Sequence, residues 1–330
     1  MVKSPCNHAG KCSLLAAVII FVALLPNPAR ALDKVSLQLQ WVHQAQFAGF
    51  YLAQDAGIYR RAGLEVDIRP GGPSIRPLVE LAAGRCDFAT AWLCGALQAR
   101  ARGMPLLNLA QLIQRSALLL ISLSDRDIQS LKDLEGQRVG LWGGDFSVAP
   151  RALFTQAGIQ VQEVPQNVSV TPLLKRAVDA SAAMRYNEYH QLYQAGVNWD
   201  DMVVIDFADQ GLNFPEDGIY ALESTWRKRG GICRRLVRAS LEGWRLALDK
   251  PEEALRAVMK RVNAARLASN LSHQRWMLKT VGGLMMNQPG DRDLGHLSPH
   301  DFALVQQVLL AQGLIKQPVA LTSFAVDGWK

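Results

Sequence analysis

Trp41, His43, Gln44, Gln46 and Phe47 crowd into one seven-residue stretch, WVHQAQF, between an apolar run and an amphipathic one. An indole offers a large rigid face to a planar molecule at small entropic cost. Two glutamine side chains bring both donors and acceptors, the set needed to read a heterocycle edge. Each also has a plainer use: Trp41 as a cap on the core, Gln44 and Gln46 in a solvated loop, Phe47 as filling for core or cleft. A second tryptophan, Trp92, closes the run Cys86–Ala91. A third group is Tyr186-Asn187-Glu188, directly after Ala180–Met184. A carboxylate there can accept two N–H bonds from an amidine-like edge, and such charge-assisted bonds are roughly twice as strong as neutral ones. Its alternative is a position at a helix N-terminus, favourable to the dipole on its own. Gly71-Gly72-Pro73-Ser74 is either a tight turn or a place where backbone N–H groups approach a ligand. Asp209 lies in a loop after Met202–Asp206. Asp145 reads as the N-cap of the helix that follows it.

The elements that must position these groups alternate. Leu37–Trp41 reads as a strand, followed by an amphipathic helix and a strand Leu64–Arg69. A helix from Ile75 to Ala83, a strand Cys86–Ala91, a helix Leu93–Arg102 and apolar strands Leu106–Ile113 and Leu118–Leu123 come next. A second set follows: strand Arg138–Trp142, helix Val148–Ala157, strand Val161–Val164, short helix Thr171–Arg176, strand Ala180–Met184, helix Glu188–Ala195 and strand Met202–Asp206. From Thr225 the chain reads as helices over Gly231–Leu248, Pro251–Val262, Ser272–Val281 and Pro299–Ala311, with Pro251 at a first helical position and Ser298 an N-cap. Strands alternating with helices of this length predict an α/β fold with a parallel sheet. In such folds ligands sit beyond the carboxyl ends of the strands, and Trp41 and Trp92 both fall there. The two sets echo one another: Asp87-Phe88-Ala89-Thr90-Ala91 in the first and Asp179-Ala180-Ser181-Ala182-Ala183 in the second.

Composition narrows the class. Lys3 and Lys11 precede an apolar stretch Leu14–Leu25 that Pro26 breaks, and Ala29-Arg30-Ala31 has the form of a cleavage site. That pattern predicts a secretory signal over residues 1–31 and a periplasmic mature protein, with an uncleaved N-terminal anchor as the alternative. Removing Lys3, Lys11 and Arg30 takes the net charge from +7 to +4. The remaining basic residues are scattered, apart from a cluster near Arg227-Lys228-Arg229 that suits a solvated helix face, so no nucleic-acid partner is expected. Cys86, Cys94 and Cys233 remain after cleavage, an odd number that cannot form a complete disulfide framework. No metal site is expected, since histidines with ligand spacing are absent near the cysteines.

Residues 37–73 also resemble a known family. Trp41, Gln44–Gln46, Phe47-Ala48-Gly49-Phe50-Tyr51, Gly57-Ile58-Tyr59 and Gly63 through Pro73 are similar to the opening of the thiamine-pyrimidine-precursor group of substrate-binding proteins of ABC importers. The resemblance runs along nearly all of the mature chain. It implies a two-lobed periplasmic-binding-protein type 2 fold with a ligand cleft between lobes: residues 32–118 plus 222–330 as one lobe, 119–221 as the other. It implies that Tyr186-Asn187-Glu188 matches a turn whose glutamate grips the amine edge of a pyrimidine, and that Asp209 matches a turn facing the cleft. The implied ligand is a small planar nitrogen heterocycle, a hydroxymethylpyrimidine or formylaminopyrimidine first, with riboflavin-like rings, sulfonates and nitrate as alternatives. The implied partner is an inner-membrane ABC permease or, alternatively, a membrane sensor; a monomer without cofactor is expected. A related eukaryotic enzyme carries a C-C-C-F-C cluster where this chain has Phe214-Pro215-Glu216-Asp217-Gly218-Ile219-Tyr220. No lysine suited to a Schiff base stands near Gly71-Gly72, and His273, His296 and His300 lack a companion nucleophile. The chain is therefore expected not to be an enzyme.

Overall fold

The computed structural model describes Met1–Ser4, Ala31–Met285 and Leu294–Val326. The expected signal core, Leu14–Leu25 with its Ala29-Arg30-Ala31 site, lies almost wholly outside the described residues. The chain divides into a short leading unit, Met1–Leu32, and a body, Asp33–Lys330. All regular elements among the described residues belong to the body.

Ten strands form two sheets. The strands are β1 (Asp33–Gln38), β2 (Leu64–Arg69), β3 (Phe88–Trp92), β4 (Leu106–Gln111), β5 (Leu118–Leu123), β6 (Arg138–Leu141), β7 (Gln162–Pro165), β8 (Ala180–Met184), β9 (Met202–Asp206) and β10 (Asp217–Leu222). The helices are α1 (Ala48–Asp55), α2 (Ile58–Arg61), α3 (Pro77–Ala82), α4 (Leu93–Ala101), α5 (Val148–Ala157), α6 (Thr171–Leu174), α7 (Glu188–Gln194), α8 (Glu223–Asp249), α9 (Pro251–Ala264), α10 (Leu271–Leu284), α11 (Pro299–Ala311) and α12 (Leu321–Phe324).

The sheets run β2-β1-β3-β10-β4 and β7-β6-β8-β5-β9. Each has the same plan: a parallel trio, then one antiparallel strand brought in from the far end of the sequence order. The expectation of a purely parallel sheet is corrected by β10 and β5. The expected lobe bounds, at 118/119 and 221/222, fall inside these two strands, β5 (Leu118–Leu123) and β10 (Asp217–Leu222). The chain instead crosses through residues 112–117 and returns through 207–216. Consequently β10, placed with the second set by the sequence reading up to residue 221, hydrogen-bonds within the first sheet.

The echoed aspartates have a common structural task. Asp87 Oδ2 accepts the N–H of Ser36 in β1 at 2.8 Å, and Asp179 Oδ2 accepts the N–H of Arg138 in β6 at 3.0 Å. Each ties the strand that follows it to the middle strand of its parallel trio, β1 or β6. Each is backed by guanidinium groups, from Arg229 in one case and from Arg126 and Arg138 in the other. These bonds hold the Asp179 carboxyl below the usual carboxylate range, with the Arg138 hydrogen bond the main cause.

The first sheet's core is covered by α1 and α8, which cross through small residues. A Cβ on Gly243 would stand 2.4 Å from the Gly49 carbonyl, and one on Gly49 would stand 2.3 Å from the Trp244 ring. Trp244 is fully buried there. Cys86, Cys94 and Cys233 are free and buried, as small apolar residues would be. No helix among the described residues is long and apolar enough to cross a membrane.

Candidate functional site

The two crossings lie side by side and form a hydrogen-bonded joint. Leu112 N–H and Ile113 N–H both donate to the Asp217 carbonyl, at 2.8 and 3.2 Å, and Glu216 N–H donates to the Ile113 carbonyl at 3.2 Å. Gln111 Nε2 donates to the Glu216 carbonyl, and Ser116 N–H to Asn213 Oδ1. Glu216 Oε1 accepts the N–H of Ala117, on the opposite crossing, at 2.5 Å. Two adjacent carboxyls, Glu216 and Asp217, are thus fixed where the sheets meet.

Around them the structure gathers five of the residues singled out in the sequence. Gln46 Nε2 donates to both oxygens of Asp217, at 3.1 and 2.9 Å, and Gln44 Nε2 donates to Gln46 Oε1 at 2.6 Å. Gln40 donates to the same Asp217 carboxyl. Tyr186 is buried within reach of the charges of Glu216, Asp217 and Glu188; burial and then those charges push its hydroxyl well above the usual range. Glu188 begins α7, where its Oε2 accepts the N–H of Met184 at 2.9 Å and its Oε1 accepts Asn187 Nδ2 at 2.6 Å. The first glutamines are therefore buried parts of the site and not a solvated loop.

The electrostatics are unusual for buried groups. Burial pushes Glu188 up to about 7 against the pull of Met184 N–H, its own N–H and Asn187. Burial likewise pushes Asp217 up to about 7, against its bonds from Gln46 and Gln40. Glu216 is raised well above the usual carboxylate range by burial and by the Asp217 charge, with Ala117 N–H and the Tyr186 hydroxyl opposing. Although Tyr186 stands near enough to act on Glu216, Glu216 Oε2 has no partner that meets hydrogen-bond geometry among the described residues. No lysine or arginine contributes to holding any of the three carboxyls charged. Buried charges are ordinarily paired, whereas this acceptor-rich cluster has no paired cation among the described residues.

The remaining sequence-predicted residues are placed differently. Trp92 ends β3 opposite Asp217 in the register and meets Phe146, from the turn before α5, edge to face at 4.3 Å. It is half-buried and joins the two sheets' elements. Trp41 is past the end of β1, half-buried against the core, its carbonyl accepting Gly71 N–H at 2.8 Å. Past the end of the strand Leu39 N–H still donates to the Arg69 carbonyl at 2.9 Å, and Gln38 Nε2 donates to the carbonyls of Leu39, Arg69 and Pro70. Phe47 is fully buried core. Gly72 has φ +150°, a glycine conformation, and Gly71 leaves no room for a Cβ beside the Leu39 carbonyl. Ser74 is exposed, and the helix begins only at Pro77, so this turn aims no helix N-terminus at the cluster. Asp209 is exposed and pairs with Arg115 at 2.6 Å, outside the cluster. Asp145 does not cap α5: its Oδ1 accepts Gln98 Nε2 of α4 at 3.0 Å. Its Oδ2 lies 2.1 Å from where a Cβ on Gly95 would be.

Glu216, Asp217 and Gln274 join this cluster or its opening turn without having been singled out in the sequence. Two adjacent acids opening an apolar strand, Glu216-Asp217-Gly218-Ile219-Tyr220, were a legible signal. Gln274 Oε1 accepts Ala45 N–H at 2.6 Å from a distant helix, which no local pattern announces. Two surface hollows, of about 230 Å³ beside Arg61 and Arg235 and about 560 Å³ beside Lys34 and Asp67, touch none of these residues. Among the described residues no group of three or more His, Cys, Asp or Glu side chains is arranged to hold a metal.

Comparisons with known proteins agree with this architecture. The profile of the family described as NMT1/THI5 like matches residues 44–254. The riboflavin-binding protein RibY of Chloroflexus aurantiacus is 26% identical over 304 residues, 89% of this chain and 85% of RibY. A formylaminopyrimidine-binding protein of Halalkalibacterium halodurans is 24% identical over 258 residues, 75% of this chain and 77% of that protein. The 4-amino-5-hydroxymethyl-2-methylpyrimidine phosphate synthase of Schizosaccharomyces pombe is 31% identical over 113 residues, 34% of this chain and 32% of the enzyme. Among solved structures, the periplasmic aliphatic sulphonate binding protein SsuA from Escherichia coli superposes with a TM-score of 0.69 at 18% identity, covering 88% of this chain and 91% of SsuA. The two-lobed α/β fold expected from the sequence is the fold of these binding proteins.

Proposed function

The chain belongs to the NMT1/THI5 like family, and on that footing we propose that it is a periplasmic solute-binding protein of an ABC importer whose ligand is an aminopyrimidine of the thiamine-precursor kind. The observation that carries this reading is the cluster itself: among the described residues Glu188, Glu216 and Asp217 are buried with no cation beside them, and Glu216 Oε2 has no partner. Such a site favours a neutral or cationic molecule rich in N–H groups, which would supply the missing donors. It disfavours a sulfonate or nitrate, whose negative charge would meet three carboxyls. A 4-aminopyrimidine has an amino group beside a ring nitrogen, a pattern that one carboxyl can bond twice.

In this reading Gln44, Gln46, Tyr186, Asn187 and Glu188 bind the ligand, with Trp92 and Trp41 at its faces. The formylaminopyrimidine-binding relative supports that choice. The lobes follow the sequence outline, with residues 217–221 transferred to the first, and they close about the joint of residues 112–117 and 207–216. A leading secretory signal delivers the chain to the periplasm, and the loaded form docks on a permease. The reading is non-catalytic: residues Phe214–Tyr220 hold carboxyls and no cysteine cluster. A flavin ligand is the second reading, favoured by the breadth of the match to RibY. The pyrimidine edge of a flavin carries two carbonyls around one N–H, however, and acceptors facing carboxyls are poorly matched. Native mass spectrometry of protein purified from its secreting host tests the choice. A bound aminopyrimidine is expected; a bound sulfonate overturns the reading, and yellow protein transfers it to flavin.

A further inference from the structure

One cluster at the lobe boundary has no part in the ligand reading so far. His190 of α7 and His273 of α10 stack at 5.2 Å, and their Nδ1 atoms stand 2.9 Å apart. Trp276 covers His190 at 5.0 Å, nearly parallel, and Tyr193 and Trp199 extend the stack. His273 Nε2 lies 2.9 Å from Asn187 Oδ1. That oxygen also accepts Gln191 Nε2 at 3.0 Å, while Asn187 Nδ2 donates to Glu188 Oε1.

With Glu188 ionised, these contacts admit one arrangement of protons. Asn187 must present its NH₂ to the Glu188 carboxyl, so its oxygen faces His273. His273 therefore carries its proton on Nε2, and its Nδ1 is bare. Only a donor can then stand 2.9 Å away, so His190 carries its proton on Nδ1. The hydrogen bonds run one way: His190 to His273, His273 to Asn187, Asn187 to Glu188. The chain leaves α7, passes through α10 of the other lobe, and returns to the turn that holds Glu188.

We propose that His190 and His273 are positioning residues for Glu188: the chain they start fixes the Asn187 amide, and through it the carboxyl that faces the ligand, and it is complete only when α7 and α10 are together. The proposal rests on the ligand reading above. Both rings must be neutral, and both are held so. Burial lowers His190, and burial followed by the neighbouring His190 lowers His273 to about 4. No carboxylate or guanidinium from α7, α10 or the Trp199 turn acts on either ring; the other titratable groups at the stack are Tyr189 and Tyr193, with Glu188 at the far end of the chain.

Two measurements on the full-length mature protein test this. Long-range proton–nitrogen spectra at pH 7.5 should show His190 as the Nδ1–H tautomer and His273 as the Nε2–H tautomer; the reverse assignment of either, or an imidazolium, overturns the chain. Calorimetry with 4-amino-5-hydroxymethyl-2-methylpyrimidine and with riboflavin is then compared for wild type, His273→Leu and His273→Gln. His273→Leu should weaken the bound probe roughly tenfold, the loss of one hydrogen bond that serves a charged group. His273→Gln, which keeps a donor near Asn187 Oδ1, should recover most of it. An unchanged dissociation constant in His273→Leu, or an equal loss in both variants, overturns the proposal while leaving the ligand reading intact. If His273→Leu does not fold, His190→Leu against His190→Asn asks the same question one bond away. Binding of neither probe by wild type overturns the ligand reading and the positioning role with it, whereas the tautomers still report on the chain.

Discussion

Glu188→Gln should change stability in opposite senses at acid and alkaline pH. A rise from the usual 4.5 to about 7 means that burial disfavours the charged carboxyl by about 3 kcal/mol. Between those values the folded protein holds a proton that the unfolded chain has released. Wild-type stability therefore falls as pH rises through this window, and the loss is complete above the folded value. Glutamine carries no charge and removes that slope. It has its own cost, because its NH₂ must replace an oxygen that now accepts from either Met184 N–H or Asn187 Nδ2. Asn187 cannot turn to accept, since its oxygen is held by Gln191 and His273. Two opposed buried donors cost about 1–3 kcal/mol. The variant should thus be about 1–3 kcal/mol less stable than wild type at pH 5, and as stable or more so at pH 8. Urea denaturation at both pH values, with unchanged slopes, measures the difference. The same destabilisation at pH 5 and pH 8 would refute a buried, proton-sharing Glu188.

Three further outcomes follow from named contacts. Gly95→Ala places a methyl where Asp145 Oδ2 now lies and breaks its bond from Gln98; calorimetry should show severalfold weaker ligand binding, while the melting temperature holds or rises because Ala is the better helix former. Gly49→Ala drives a methyl to 2.3 Å from the fully buried Trp244; chemical denaturation should show a loss of about 1–3 kcal/mol, the usual range for overpacking, or more. Gln46→Leu removes the amide that bonds both oxygens of Asp217; the Asp217 titration, followed by carboxyl carbon shifts, should move upward from about 7, and a downward or absent shift would count against the bond.

Much of the fold was legible because local patterns and tertiary demands agree. Strands β2, β5, β8 and β9 and helices α5 and α11 fall on their expected bounds. The echo of Asp87 and Asp179 was legible as repetition, and its cause, a carboxylate tying two strands, was not. The joint was misplaced for a physical reason: Leu118–Leu123 and Asp217–Leu222 are apolar on both faces because each is an inner strand of its sheet, and apolar runs do not state their sheet. At the site, the turn Tyr186-Asn187-Glu188 and the amides Gln44 and Gln46 were legible from chemistry and from resemblance. Asp209 and Ser74 are exposed, and a polar residue in a turn carries no sign of the direction it faces. Asp145 read as a cap because capping is local, while its partner Gln98 lies 47 residues away. His273 and Gln274 reach the site only through the packing of α10 against the opening turn.

The central claim is that the carboxyl cluster of Glu188, Glu216 and Asp217 favours an N–H-rich ring and refuses an anion. Calorimetric titration of the ligand-free mature protein with 4-amino-5-hydroxymethyl-2-methylpyrimidine, riboflavin, an alkanesulfonate and nitrate at pH 7.5 tests it most directly. The account predicts saturable binding of the aminopyrimidine, weaker binding or none for riboflavin, and no heat from either anion. Tight binding of the sulfonate with no response to the aminopyrimidine would contradict it.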